Sequence, residues 1–225
     1  MKNVKLLFVV LAVCLLCACN SRPMDLQKIS DSLLDTASDI QPYCPVSFDE
    51  VNERHGDLAY RTESLEDLEQ RTEVIIKGVL QDDGRELVDF DEWGNKLNGY
   101  TLHSLLINEV YKGNLDEGET ITLAEEYFLD SFEGKTYLTI YDKNRPCKIG
   151  KEYIFFLRPI LKDNPDINDA YLPVGMEKGR FPILPKTRST EADIDSLTNE
   201  DVDLGQGDIS NYKEIFKEVT EKYLS

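Results

Sequence analysis

Histidine is nearly missing from this chain of 225 residues, in which His55 and His103 are the only two. Neither is spaced with a cysteine or with the other as a zinc site requires, so each is expected on the surface or in a strand. Catalytic signatures are equally scarce. Past residue 18 there is no Gly-x-Ser-x-Gly elbow, no glycine-rich phosphate loop and no Cys-x-x-Cys. Acids abound, but without a pattern that marks a general acid and base. No catalytic, metal or cofactor residue is therefore assigned, and the chain is read as a non-enzyme. Positive charge is short as well: 25 Lys and Arg face 43 Asp and Glu, for a net charge of −18. Nucleic acid is excluded as a partner, because phosphate binding needs a basic face. Bare anionic headgroups would repel such a chain too. Its acidity is read first as a source of solubility. Long apolar runs are also lacking, since the run from Leu6 to Leu16 is too short to span a bilayer as a helix.

That run does have the makings of a secretory leader, with Lys2 and Lys5 before it. Its end, Leu16-Cys17-Ala18-Cys19, resembles the bacterial lipobox, although Cys17 stands where Ala or Ser is usual. The resemblance implies cleavage before Cys19 and acylation of Cys19, so that membrane lipid is the first partner. Two or three acyl chains suffice for stable anchoring. The expected location is the extracytoplasmic face of a cell membrane. Removing residues 1–18 leaves 23 bases against 43 acids.

Processing would leave three cysteines, Cys19, Cys44 and Cys147. With Cys19 lipidated, an even pair remains in an oxidising compartment, and a Cys44–Cys147 disulfide is the expectation. It would close a loop worth roughly 4 to 5 kcal/mol in the chain-entropy model. Two free buried thiols are the alternative.

Along the mature chain, Leu26, Ile29, Leu33, Leu34 and Ala37 form one helical stripe, ended by the prolines around Cys44. Residues 19–63 are read as anchor, helix and linker. Ser64 caps a short helix to about Arg71. Strands are expected at Val74–Leu80, Tyr100–Tyr111, Ile121–Leu123, Tyr137–Tyr141, Tyr153–Leu157, Tyr171–Val174 and Arg180–Leu184. Gly78 marks a bulge or bend in the first of these. Residues 186–209, with seven acids and two bases, read as a flexible acidic linker. A last amphipathic helix fills residues 210–225, with Tyr212, Ile215, Phe216, Val219 and Tyr223 on one face and expected to dock on the chain's own barrel. The fold class is mainly β, an OB-like small antiparallel barrel over residues 64–185 with flanking helices at both ends.

The run from Ser64 to Leu184 resembles an OB-fold domain of secreted bacterial proteins, similar to the netrin-like domain of tissue inhibitors of metalloproteinases. The residues that carry the likeness are Thr72–Val79, Ile107–Gly113, Gly118–Leu123 and Gly150–Leu157, all of them strand cores and turn glycines. Inhibitors of that family use an N-terminal Cys-x-Cys to bind the protease zinc. Cleavage before Cys19 would discard Cys17, and the mature cysteines are too few for the family's disulfides. The resemblance thus implies a fold, not an inhibitory activity.

Gln81–Asn98 is read as a charged loop carrying the chain's only tryptophan, Trp93. In OB folds the loop after the first strand is a frequent binding rim. The expected place of Trp93 is folded back over the barrel end, with an exposed anchor for a sugar, peptide or protein as the alternative. The oxygen-rich stretch Asp163–Asp169 fails the EF-hand pattern, because Asp169 and Gly175 stand where Gly and Glu are needed. The function expected is recognition of an envelope protein or extracellular ligand. An enzyme or accessory subunit acting on cell-wall or secreted polymers is the alternative.

Overall fold

Residues 47–55, 62–160, 167, 169–185 and 190–224 are described in a computed structural model of the chain. Cys19, Cys44 and the helix expected over residues 26–37 lie outside the described residues, as does most of the Asp163–Asp169 stretch. In chain order the strands are β1 (Glu50–Arg54), β2 (Val74–Leu80), β3 (Arg85–Phe90), β4 (Lys96–Lys112), β5 (Thr120–Glu125), β6 (Tyr127–Phe132), β7 (Lys135–Tyr141), β8 (Glu152–Pro159), β9 (Ala170–Pro173) and β10 (Arg180–Pro182). The helices are α1 (Leu65–Arg71), α2 (Glu191–Ser196) and α3 (Ser210–Tyr223).

Five strands close a barrel. β2 pairs antiparallel with β4 and β8, β4 with β5, and β8 with β9, while β5 and β9 run parallel and complete the ring. The first, second, third, fifth and fourth barrel strands thus follow one another around it, and the barrel is OB-like. Its closure follows from the side chains. In β8, Tyr153, Phe155 and Leu157 turn inward to meet Ile76, Leu105 and Leu123, while Ile154 and Phe156 face outward. A strand buried on both faces shows an unbroken apolar run, which is how Tyr153–Leu157 reads. The register of β2 against β4 shifts between Lys77 and Gly78, where a Cβ would stand 2.6 Å from the Leu106 carbonyl oxygen. This is the bulge that Gly78 announced.

The outward face of β2 and β8 is covered by the helices. Tyr212, Ile215, Phe216 and Val219 of α3 and Leu65 and Leu68 of α1 share one core with Ile75, Ile154, Phe156 and Phe181. Ser64 caps α1 as its sequence announces, its hydroxyl accepting from the Asp67 N–H at 3.2 Å.

Two expectations are corrected. The acidic segment is not a flexible tether in its described part, residues 190–209. Thr190 and Asp193 form a reciprocal capping box that opens α2, and Ile194, Leu197, Val202 and Leu204 are buried in the same core as α3. Gln81–Asn98 is not a loop but largely a hairpin, in which β3 pairs with the start of β4. A second sheet, ordered β1-β7-β6, also accompanies the barrel. Only β7 of its three strands was foreseen. Glu133 (φ 50°) and Gly134 (φ 79°) make the tight two-residue turn between β6 and β7.

Candidate functional site

Trp93 stands at the apex of the β3–β4 hairpin and is 79% exposed. The turn that presents it is built by Asp91. One carboxylate oxygen, Oδ1, accepts from the backbone N–H of Trp93 at 2.9 Å and of Asn95 at 2.8 Å, and Oδ2 accepts from the Asn95 side chain at 2.8 Å. These bonds, the Asn95 side chain first, hold the Asp91 carboxyl below its ordinary pKa. Gly94 supplies the left-handed backbone (φ 83°) that closes the turn. Phe90 at 60% and Leu97 at 45% exposure extend the apolar surface on the same hairpin.

The expectation that Trp93 folds back over the barrel end is therefore overturned. The flank of the hairpin is already occupied by β6, where Glu86 accepts from the Leu129 N–H at 2.6 Å and from Lys96 Nζ at 2.9 Å. Lys96 Nζ also donates to the Leu129 carbonyl. With β6 in that position and Asp91 fixing the turn, the indole is left facing solvent.

Beneath the hairpin, Glu86, Thr101, His103, Tyr127 and Leu129 line a pocket of about 230 Å³. His103 lies in a strand, as one of its expected placements had it, and is buried. Its Nδ1 is 3.3 Å from the Gln81 carbonyl and its Nε2 is 2.9 Å from Tyr127 Oη. A carbonyl can only accept, so Nδ1 is the donor to Gln81. The pocket is smaller than the usual ligand cavity. His55 is exposed, with Nδ1 3.2 Å from Asp142 Oδ1. The structure does not bring the two histidines together into one site.

The residues missed by sequence reasoning form a buried ionic cluster. Arg180, 1% exposed, donates through Nη1 to Glu125 Oε1 at 2.9 Å and to the Cys147 sulfur at 2.7 Å. Through Nη2 it donates to the carbonyls of Asp203 at 3.0 Å and of Arg145. The Asp203 carboxylate takes up Tyr153 Oη at 2.6 Å, Lys151 at 2.8 Å and Lys148 at 2.8 Å. Burial opposes the charge on Asp203, but its two lysines and Tyr153 outweigh that and hold its pKa low. Burial likewise opposes the guanidinium of Arg180, and the carboxylates around it keep it protonated. The Cys147 thiol is pushed well up, chiefly by burial, so it is no nucleophile. Arg180, Glu125, Cys147 and Asp203 line neither the pocket under the hairpin nor the groove beside the C-terminal helix. A lone arginine opening an otherwise apolar closing strand, Arg180-Phe181-Pro182, was the cluster's one sequence signal.

Cys147 has a free thiol in this core, while its expected partner Cys44 lies outside the described residues. The folded, unreduced protein is expected to resist iodoacetamide at Cys147 and to be alkylated there once denatured, as read by peptide mass. A Cys147 peptide that stays unlabelled until reductant is added would instead restore the disulfide to Cys44.

Among the described residues no group of three His, Cys, Asp or Glu could hold a metal ion, and no helix is long and apolar enough to cross a membrane. No protein-family model matches the chain, and no curated protein is similar to it in sequence.

Proposed function

We propose that this chain is a lipid-anchored binding protein of the extracytoplasmic membrane face, whose OB-like barrel recognises an envelope protein or extracellular ligand through the β3–β4 hairpin. The observation that carries the reading is Trp93, 79% exposed on a turn fixed by Asp91. Tryptophan is the residue most enriched among binding hot spots, and solvent exposure of so large an apolar side chain on a rigid turn has no benefit for the fold. Anchoring rests on the Leu16–Cys19 lipobox. The netrin-like resemblance rests on the sequence runs that carry it and adds no activity to this reading.

The full chain, expressed in its own cells, tests both parts. Labelled palmitate is expected in the parent protein and not in Cys19→Ala. Trp93→Ala is expected to melt with the parent, within about 0.5 kcal/mol, and to lose about 2 kcal/mol of binding, roughly thirtyfold, to whatever the parent captures. Equal capture by the two proteins sinks the hairpin as the recognition surface. Unchanged palmitate incorporation in Cys19→Ala sinks the anchor. Because Trp93 is the only tryptophan, its emission is expected to shift little on unfolding and to respond directly to a bound partner.

The rival reading, an enzyme or accessory subunit acting on polymers, draws on a groove beside α3 that is lined with glutamates. Glu109 there is held below the ordinary carboxylate range, first by its hydrogen bond from Lys77. An anion paired with a lysine is a poor proton donor, so Glu109 does not supply the acid that reading needs.

A further inference from the structure

The same groove supports a second recognition site that shares no residue with the Gln81–Asn98 hairpin. It runs between α3, the start of α2 and the outer face of β2 and β8, and encloses about 960 Å³, against about 230 Å³ for the pocket under the hairpin. Its floor is apolar, made by Ile183, Leu184, Ile194, Tyr223 and Leu224. Both walls are acidic. Glu214, Glu218 and Glu221 stand on α3, with Glu191 on α2 and Glu109 and Glu152 on the barrel, against two lysines among the described residues. Each lysine is already committed, Lys77 to Glu109 at 2.5 Å and Lys217 to Asp195 at 2.7 Å and Glu214 at 2.9 Å. Glu191, Glu218 and Glu221 have no basic partner among the described residues.

We infer that this groove docks a cationic amphipathic segment of a partner protein or peptide, with apolar side chains on the floor and Lys or Arg between the glutamate walls. Charge selects that occupant over two others, a second copy and the segment before residue 47, while Lys186 and Arg188, between Leu184 and Glu191, lie outside the described residues. A second copy of the chain brings a net charge of −18 of its own, and residues 20–46 of the same chain hold Asp25, Asp31, Asp35 and Asp39 against Arg22 and Lys28. Either would meet like charge on both walls. A segment lying along a helix in an apolar groove is an established mode of peptide recognition, and acidic walls add selection for a basic ligand.

The test titrates the full mature chain with a fluorescent peptide of interleaved leucine and lysine. Saturable binding is expected, weakening with salt. Glu218→Lys with Glu221→Lys is expected to weaken it by roughly tenfold or more, whereas Glu53→Lys with Glu133→Lys, on the second sheet, makes the same change in net charge and leaves affinity within about twofold. An oligolysine of equal charge without leucine is expected to bind about tenfold more weakly. Melting curves establish that the variants are folded, and Glu218→Gln with Glu221→Gln replaces the reversal should it unfold. The proposal is overturned if the groove variants bind as the parent does. It is equally overturned if the second-sheet reversal is as damaging, if oligolysine binds as well, or if the parent does not bind the peptide. None of these results bears on Trp93, so the two sites stand or fall separately.

Discussion

Arg180→Met is expected to cost about 3 to 5 kcal/mol of stability, because it leaves a buried carboxylate without its cation. The side chains of Arg180 and Glu125 are each 2% exposed, and their contact is 2.9 Å. Without the guanidinium, Glu125 retains the Cys147 N–H at 2.8 Å, while its Oε2 already lacks a partner. The carbonyls of Arg145 and Asp203 lose their donor at the same time. Such a loss is a large part of the 5 to 15 kcal/mol that typically holds a domain together. Chemical denaturation read by circular dichroism measures it. The companion change Glu125→Gln, added to Arg180→Met, removes the stranded charge and keeps an acceptor for Cys147. The double variant is expected to recover about 2 kcal/mol through their coupling. If Arg180→Met is nearly neutral, or if Glu125→Gln brings no recovery, the ion pair is not what secures this end of the barrel.

The strands that close the barrel were legible because burial on both faces leaves a mark. Tyr153–Leu157 is apolar throughout and Val74–Leu80 is so but for Lys77 and Gly78, and glycines bound or bend them. The C-terminal helix was legible for the matching reason, since its buried residues repeat at helical spacing. Elements that bury little left no such mark. β1 reads Glu-Val-Asn-Glu-Arg and is mostly exposed. It is held by parallel pairing to a strand more than eighty residues away, which no local pattern can announce. β3 is exposed or half-exposed along its whole length, so the hairpin looked like a charged loop. The start of β4 was missed with it, because that strand runs seventeen residues and exchanges its β3 partner for β2 partway. In the acidic segment four apolar side chains are buried one at a time at turns and a short helix, without periodicity. Its readable signal was Thr190-x-x-Asp193, a cap of the kind that located α1. The position of Trp93 was legible, and its orientation was not. That orientation depends on Asp91 and on β6, which fills the flank against which the indole would otherwise fold. The Arg180–Glu125 pair joins residues fifty-five apart, which no local pattern links, and only the closed barrel brings them together.

Phe216→Ala is expected to cost about 3 to 5 kcal/mol and to lower the melting of the whole barrel, not only of the helix that carries it. Phe216 is fully buried, 5.4 Å from the Phe181 ring and 5.9 Å from Tyr212. Phe181 belongs to β10, which pairs with β8, a strand of the closed ring. The helix is fastened further at its end, where Lys222 Nζ lies 2.7 Å from Glu69 of α1 and Tyr223 donates to the same carboxylate. These links make helix and barrel one cooperative unit, so a cavity under α3 destabilises both. Glu221→Ala, at an exposed position of α3, is expected to change stability by less than about 0.5 kcal/mol. Calorimetry should show a single transition moved to lower temperature in Phe216→Ala. A barrel transition that stays in place while helix signal is lost earlier would mean that α3 is an appendage. In that case the glutamate groove, whose one wall is α3, would not persist as a fixed surface.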